Sequence, residues 1–377
     1  MHARWHGGGA IRRDGVLVHD VGENGERRLM CVMQVSKVRM NPYVGLLQQA
    51  LCEEGVVCSQ ADGLSPALVQ SWRGQVDVLH LHWLELLYTA PSLARSLRLL
   101  AVVLAGLGWA KVCGLKIVYT VHNLNPHEQA FPALDRLASR ALLSWADAVH
   151  VHDGEARLGL ERLYGRRKKI YVVPHASYVG AYPNSCTRLE ARQRLGLAED
   201  EFVYLCLGQM RRYKGIEDLI TAFRGLPAGR SRLVLAGNVH DPTYGDELAR
   251  LTRGDKTIMA WFQYVGDAEL QYFMNACDIC VLPYRDVTTS GAAILAFSFG
   301  RSIVAPAMAG FTELVAEGRG IAYDPRSAHG LAQALQQARA LDVTDAGQRA
   351  LEWAQRHSWR TLAPEFVRIY ADVLGAR

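Results

Sequence analysis

The 377-residue chain has little in the way of long hydrophobic runs: the strongly apolar stretch Leu99–Ala110 is too short to span a bilayer. It lacks the apolar core of a signal peptide. Residues 1–28 are rich in Gly, Arg and His and read as a disordered extension, or as a start codon placed too early. It lacks a strong charge bias. A net charge of +5 and a pI of 8.7 fall far short of a dedicated nucleic-acid binder, so nucleic acid is not an expected partner. The mild basicity suits anionic substrates or an anionic membrane surface. It also lacks a cysteine framework. Its 8 cysteines are scattered, several of them in apolar runs. Cys277-Asp278-Ile279-Cys280 has CxxC spacing, but no second pair or histidine cluster accompanies it, which argues against a metal or redox site. A reducing cytoplasm is the compartment this cysteine usage fits. Repeats and low-complexity tracts are missing too.

What remains is alternation. Strand-like runs at Leu29–Gln34, Val76–His82, Lys116–His122, Ala148–His152 and Tyr171–Pro174 are interleaved with helical patterns. A second series follows at Phe202–Leu207, Arg232–Gly237, Trp261–Val265, Asp278–Pro283 and Ser302–Pro306. Strands alternating with helices argue parallel sheets covered on both faces. Two series predict an α/β chain of two doubly wound, Rossmann-like domains. The expected boundaries are an extension at 1–28, domains at 29–180 and 189–360, and a terminal helix at 361–377.

Ligands of such sheets bind beyond the carboxyl ends of the strands, and five segments of the second domain lie at such ends. Leu207-Gly208-Gln209-Met210-Arg211-Arg212-Tyr213-Lys214-Gly215 joins a strand to a helix. Gly208 lets a ligand approach the backbone, and Arg211, Arg212 and Lys214 can neutralise a diphosphate. Leu233–Asn238 again ends a strand in glycine. Tyr264-Val265-Gly266-Asp267 offers backbone groups to a base edge. In Leu282–Gly291, the residues Thr289, Ser290 and Gly291 stand where a helix should start, which suits both an anion and an ordinary helix cap. Ala309–Val315 brings Gly310 and Glu313, a carboxylate for a ribose or sugar hydroxyl.

In this order the segments resemble the donor-binding half of GT-B glycosyltransferases, most closely family 4, and the resemblance covers nearly all of residues 29–370. It implies two Rossmann-like domains facing a cleft. The nucleotide sugar would lie against the second domain, the acceptor against the first, and the last helix would cross back between them. Gly208, Arg211, Arg212, Lys214, Val265, Thr289, Ser290, Gly291 and Glu313 would bind the donor. No cofactor and no metal would be needed, because cations and helix N-termini carry the diphosphate charge. In Thr120-Val121-His122-Asn123-Leu124-Asn125-Pro126-His127-Glu128, His122 matches a histidine that faces the donor sugar. Pro174-His175-Ala176 replaces the usual Pro-Asn-Gly.

The sequence also departs from the family. Retaining members carry two glutamates eight positions apart, where this chain has Val287 and Leu295, and Gln209 replaces an arginine. An inverting reaction instead needs a base opposite the leaving group. Glu128 is the expected base and His122 a sugar contact, with Glu85 and Asp153 behind them. Thr288-Thr289-Ser290-Gly291 is similar to a mannosyltransferase-like branch, some members of which invert, and inversion is favoured.

The leading expectation is therefore a hexosyltransferase with GDP-mannose as first choice of donor and a UDP-sugar as second. It would act on a glycan or polyprenyl-linked acceptor. Its place would be the cytoplasm, peripheral on the inner face of a bacterial membrane. A sugar-nucleotide epimerase and a non-catalytic nucleotide-sugar-binding partner protein stand as alternatives. The segment 95–116, with Arg95, Arg98, Lys111 and Lys116 around its apolar core, reads first as a buried helix of the first domain and second as a membrane-surface helix.

Overall fold

The computed structural model describes residues 18–21, 27–39, 41–124, 131–227, 229–286, 289–308 and 310–375. Glu128 and Val287 lie outside these residues. The chain falls into two compact units. One comprises Met1–Tyr119, Ser144–Ala148 and Ala363–Arg377, the other Thr120–Leu143 and Val149–Leu362.

Strands β1 (Val18–Val21) and β2 (Arg27–Leu29) pair antiparallel, with Val18 opposite Leu29. The sequence places most of both in the disordered extension.

A six-stranded sheet contains β3 (Cys31–Val35), β4 (Val57–Ala61), β5 (Val78–His82), β6 (Lys116–Thr120), β7 (Ala148–Val151) and β8 (Ile170–Val172), in the order β4-β3-β5-β6-β7-β8. β5 and β7 are buried along their whole length, as expected of strands covered on both faces. The apolar run Leu99–Ala110, read from the sequence as too short to span a bilayer, is part of a longer helix, Leu93–Val112, that is long and apolar enough to cross a membrane by length and composition alone. Its inner face buries Leu100, Val103, Leu107 and Ala110 and packs on helices Pro66–Trp72 and Glu85–Tyr88. The other face exposes Leu93, Leu97, Val102, Trp109 and Val112.

The second sheet holds β9 (Phe202–Leu207), β10 (Ser231–Ala236), β11 (Ile258–Trp261), β12 (Ile279–Val281), β13 (Ser302–Pro306) and β14 (Gly320–Tyr323). Its order, β11-β10-β9-β12-β13-β14, is parallel throughout. This is the doubly wound order in which the winding reverses beside the first strand, here between β9 and β12. Tyr204, Leu235, Ile216, Leu219, Leu248 and Leu335 belong to the core on one side of this sheet. The sequence placed β11 at Trp261–Val265. The apolar run continues from Ile258 to Val265, and pairing with β10, Leu233 opposite Ile258 through Ala236 opposite Trp261, selects its first half.

Candidate active site

The reversal between β9 and β12 brings together the segments that leave those two strands. Gly208 follows β9 with φ +120°, and Gly215 ends the loop with φ +62°. A side chain at Gly208 would press on the Lys214 ammonium, and one at Gly215 would overlap the Pro283 carbonyl oxygen. Glycine at these two positions therefore lets the basic loop fold back over itself and against the β12 segment. The Arg285 N–H donates to the Tyr213 carbonyl at 2.8 Å, tying the two loops together.

Lys214 sits inside this arrangement, buried, with its ammonium 5.2 Å from the centre of the Tyr284 ring. Burial depresses its pKa to about 8, with Arg211 pushing in the same direction and Cys206 against it. A cation held in an apolar setting, with no carboxylate among the causes of its shift, is poised to gain from an arriving anion. Arg211 bonds the Gln209 side chain at 2.8 and 3.0 Å. Arg212 is turned to Glu247 at 2.9 Å and lies over the Tyr244 ring. Both arginines line a separate cavity with Met210, Tyr213, His240 and Asp241. Of the three cations of this loop, only Lys214 is buried.

Beyond β12, Ser290 is the N-cap of helix Gly291–Ser298, its Oγ accepting from the Ala293 N–H at 3.2 Å. Ser290 and Thr289 line a cavity of about 420 Å³. The Thr289 hydroxyl is buried and has no hydrogen-bond partner among the described residues. A buried hydroxyl at a helix N-terminus that is also a cavity wall is a donor suited to a ligand oxygen. Glu313, in the first turn of helix Thr312–Val315, lines the same cavity. Gly291 adjoins it, next to the Tyr178 hydroxyl. Val265 is half-buried before helix Asp267–Ala276 and is absent from both cavities.

Other lining residues come from the segments after β7 and after β8. They are His152, Asp153, Glu155, Pro174 and His175, all in the second compact unit. Asp153 caps helix Gly154–Tyr164, Oδ1 accepting from the Ala156 N–H at 2.7 Å. Burial raises the pKa of its carboxyl, the capping N–H opposes this, and the Glu313 charge adds to it. His175 and His150 are both driven to about 4 by burial and are neutral at physiological pH. His122, beyond β6, is buried with Nδ1 3.4 Å from His152 Nε2, and so reaches the cavity wall through His152. Leu295, at the second glutamate position of the retaining pattern, is a buried side chain of helix Gly291–Ser298.

Sequence reading found Thr289, Ser290 and Glu313 and flagged Asp153 and His175. It missed Trp353 and His357, which come from beyond the motif region to close the cavity. No local pattern marks them.

In the first compact unit, His80 Nδ1 lies 2.7 Å from the Tyr370 hydroxyl of the last helix, and His82 Nε2 lies 2.8 Å from Gln34 Oε1. The histidines that end β5 thus take part in a buried polar network.

Residues 201–340 match the model of the family "Glycosyl transferases group 1". The chain is 30% identical over 276 residues to a GDP-mannose:glycolipid 4-beta-D-mannosyltransferase of Xanthomonas campestris pv. campestris, covering 71% of this chain and 70% of that protein. It is 27% identical over 284 residues to a D-inositol 3-phosphate glycosyltransferase of Corynebacterium aurimucosum, covering 69% and 67%. Among solved structures, sucrose-phosphate synthase of Thermosynechococcus elongatus superposes with TM-score 0.73 at 20% identity, over 92% of this chain and 100% of that one. The chain is thus a member of the group 1 glycosyltransferases, resembling family 4, with the GT-B fold and the activity of a hexosyltransferase.

Proposed function

We propose that the protein transfers mannose from GDP-mannose to a hydroxyl of a glycolipid acceptor with inversion at C1, without a metal. The relative from Xanthomonas carries this reading: its name specifies GDP-mannose, a glycolipid and a β linkage. The sugar of GDP-mannose is α-linked, so forming a β linkage requires inversion. The apolar Leu295 supports the same stereochemistry, since it removes one of the two carboxylates of the retaining pattern. A UDP-sugar is the second choice of donor.

In this reading the diphosphate lies between Lys214 and the start of helix Gly291–Ser298. Arg211 and Arg212 turn from their present partners toward it. Ser290, Thr289 and the helix N-terminus take the charge that develops as the C1–O bond breaks. Val265 meets the base and Glu313 a sugar hydroxyl. A glycolipid acceptor calls for a peripheral place on the inner face of the membrane, and the exposed apolar face of helix Leu93–Val112, with Arg95 and Arg98 at its first turns, suits such a surface.

Calorimetric titration with GDP-mannose, GDP, UDP-glucose and UDP, followed by assay of nucleoside diphosphate release, tests the reading. Selective binding of the guanine nucleotides supports it. Selective binding of UDP-sugars moves the donor to the second choice. Binding of neither removes the transfer reading from the Lys214 loop.

A further inference from the structure

We infer that Asp153 is the general base of the transfer, taking the proton of the acceptor hydroxyl as that oxygen attacks C1. The inference rests on the inverting reading above. In that step the acceptor oxygen forms the bond to C1. Its proton passes to the Asp153 carboxylate, and the C1–O bond to the diphosphate breaks with its electron pair leaving on the phosphate oxygen.

Placement singles out this residue. The base of an inverting transfer must share a chamber with C1 but stand across it from the leaving group. Thr289 and Ser290 mark the leaving-group wall of the 420 Å³ cavity, and His152, Asp153, Glu155, Pro174 and His175 form another wall from different strands. Among the described residues, three carboxylates line the cavity: Asp153, Glu155 and Glu313. Glu313 follows β13, the strand paired with the β12 that leads to Thr289 and Ser290, and is exposed. Glu155 is an exposed side chain one residue into its helix. Asp153 stands at the carboxyl end of β7, half-buried, and its capping bond to Ala156 fixes the side chain without using up its lone pairs. Pre-fixed geometry is what a base requires.

The surroundings also preserve its basicity. Among the described residues, the charged and titratable groups that line the cavity with Asp153 are Glu313 and Glu155, whose charges make proton uptake easier, and His152, His175 and His357. His175 stays neutral above about pH 4, so it supplies no imidazolium to stabilise the ionised carboxylate near neutrality. His122 contacts His152 and does not line the cavity.

The test uses the full chain and GDP-mannose, with water in the acceptor's place. The release of GDP gives the rate, and the anomer of mannose at early times, read by NMR, gives the stereochemistry. Asp153→Asn and Asp153→Ser both keep a good helix cap, so both should fold. Expected are β-mannose from the wild type, a rate reduced by about 10²- to 10⁴-fold in both variants, and a GDP dissociation constant changed by less than about threefold. The acidic limb of the wild-type pH–rate profile, set above the ordinary aspartate range, should vanish in Asp153→Asn. β-mannose with either variant within about threefold of the wild-type rate overturns the assignment of Asp153 and leaves the inverting reading standing, as does a Glu128→Gln variant that alone loses the rate. α-mannose, or no donor turnover by the wild type, overturns the inverting reading and this inference with it.

Discussion

The carbonyl oxygen of Gly208 occupies the place that a side chain on Gly237 would need. The two residues end the adjacent strands β9 and β10, and Gly237 has φ +147°, a conformation that residues with a Cβ rarely adopt. The main chain of the basic loop thus starts from a backbone-on-backbone contact. Gly237→Ala should lower the melting temperature by on the order of 10 °C and weaken nucleotide binding along with it. Thermal unfolding with and without GDP checks this. A melting temperature unchanged from the wild type would mean that the contact does not hold the loop.

Lys214 should trade stability for binding. With its pKa lowered to about 8 by burial, the folded protein without nucleotide binds fewer protons than the unfolded chain between about pH 8 and the ordinary lysine value of about 10.4. Stability without nucleotide should therefore rise with pH across that window. Lys214→Met should flatten the rise, raise the melting temperature at pH 7, and weaken GDP binding by at least about tenfold. In the wild type, GDP affinity should fall above about pH 8 as the ammonium loses its proton. Calorimetry at pH 7 and pH 9 in both proteins reads the effect directly.

The buried imidazoles set an acid limit. His150 and His175 are held neutral in the fold, with pKa values of about 4, while unfolded histidine titrates near 6.5. Their contribution to stability is complete above about pH 6.5 and is lost as pH falls from there toward 4, because the unfolded chain then binds protons that the fold refuses. Melting temperature should drop over this window, and His175→Gln should make the drop shallower. A melting temperature constant between pH 7 and pH 4.5 would contradict the burial of these rings.

Helix Leu93–Val112 should bind anionic vesicles. Leu97 and Val112 are 48% and 73% exposed, and replacing them by Glu leaves the buried face of the helix intact. Leu97→Glu with Val112→Glu should cut sedimentation with phosphatidylglycerol vesicles several-fold and leave GDP affinity unchanged. Equal sedimentation of wild type and variant would remove the membrane role from this face.

Much of the fold was legible because parallel strands buried on both faces are short apolar runs punctuated by glycine and proline. Phe202–Leu207 and Ser302–Pro306 have the ends in the structure that they have in the sequence. Of the strands that went unread, β4 and β14 are the outer strands of the two six-stranded sheets. Their side chains are largely half-exposed, so no continuous apolar run announces them. The order of the loops carried the family, because each loop lies at a strand end that binds ligand in this topology.

By itself the sequence determined the alternation of strands and helices, the doubly wound class, and the group of residues around Gly208, Lys214 and Ser290, since these depend on local period and on spacing along the chain. Which of those residues lie near one another was decided only by the tertiary structure. Strand order set Lys214 beneath Tyr284 while leaving Arg212 to Glu247. It joined Asp153 and His175 to Ser290 and Glu313 around one cavity across more than a hundred residues of chain, and closed that cavity with Trp353 and His357. Burial, and with it the charge state of each imidazole and of Lys214, follows from what the rest of the chain lays over a residue.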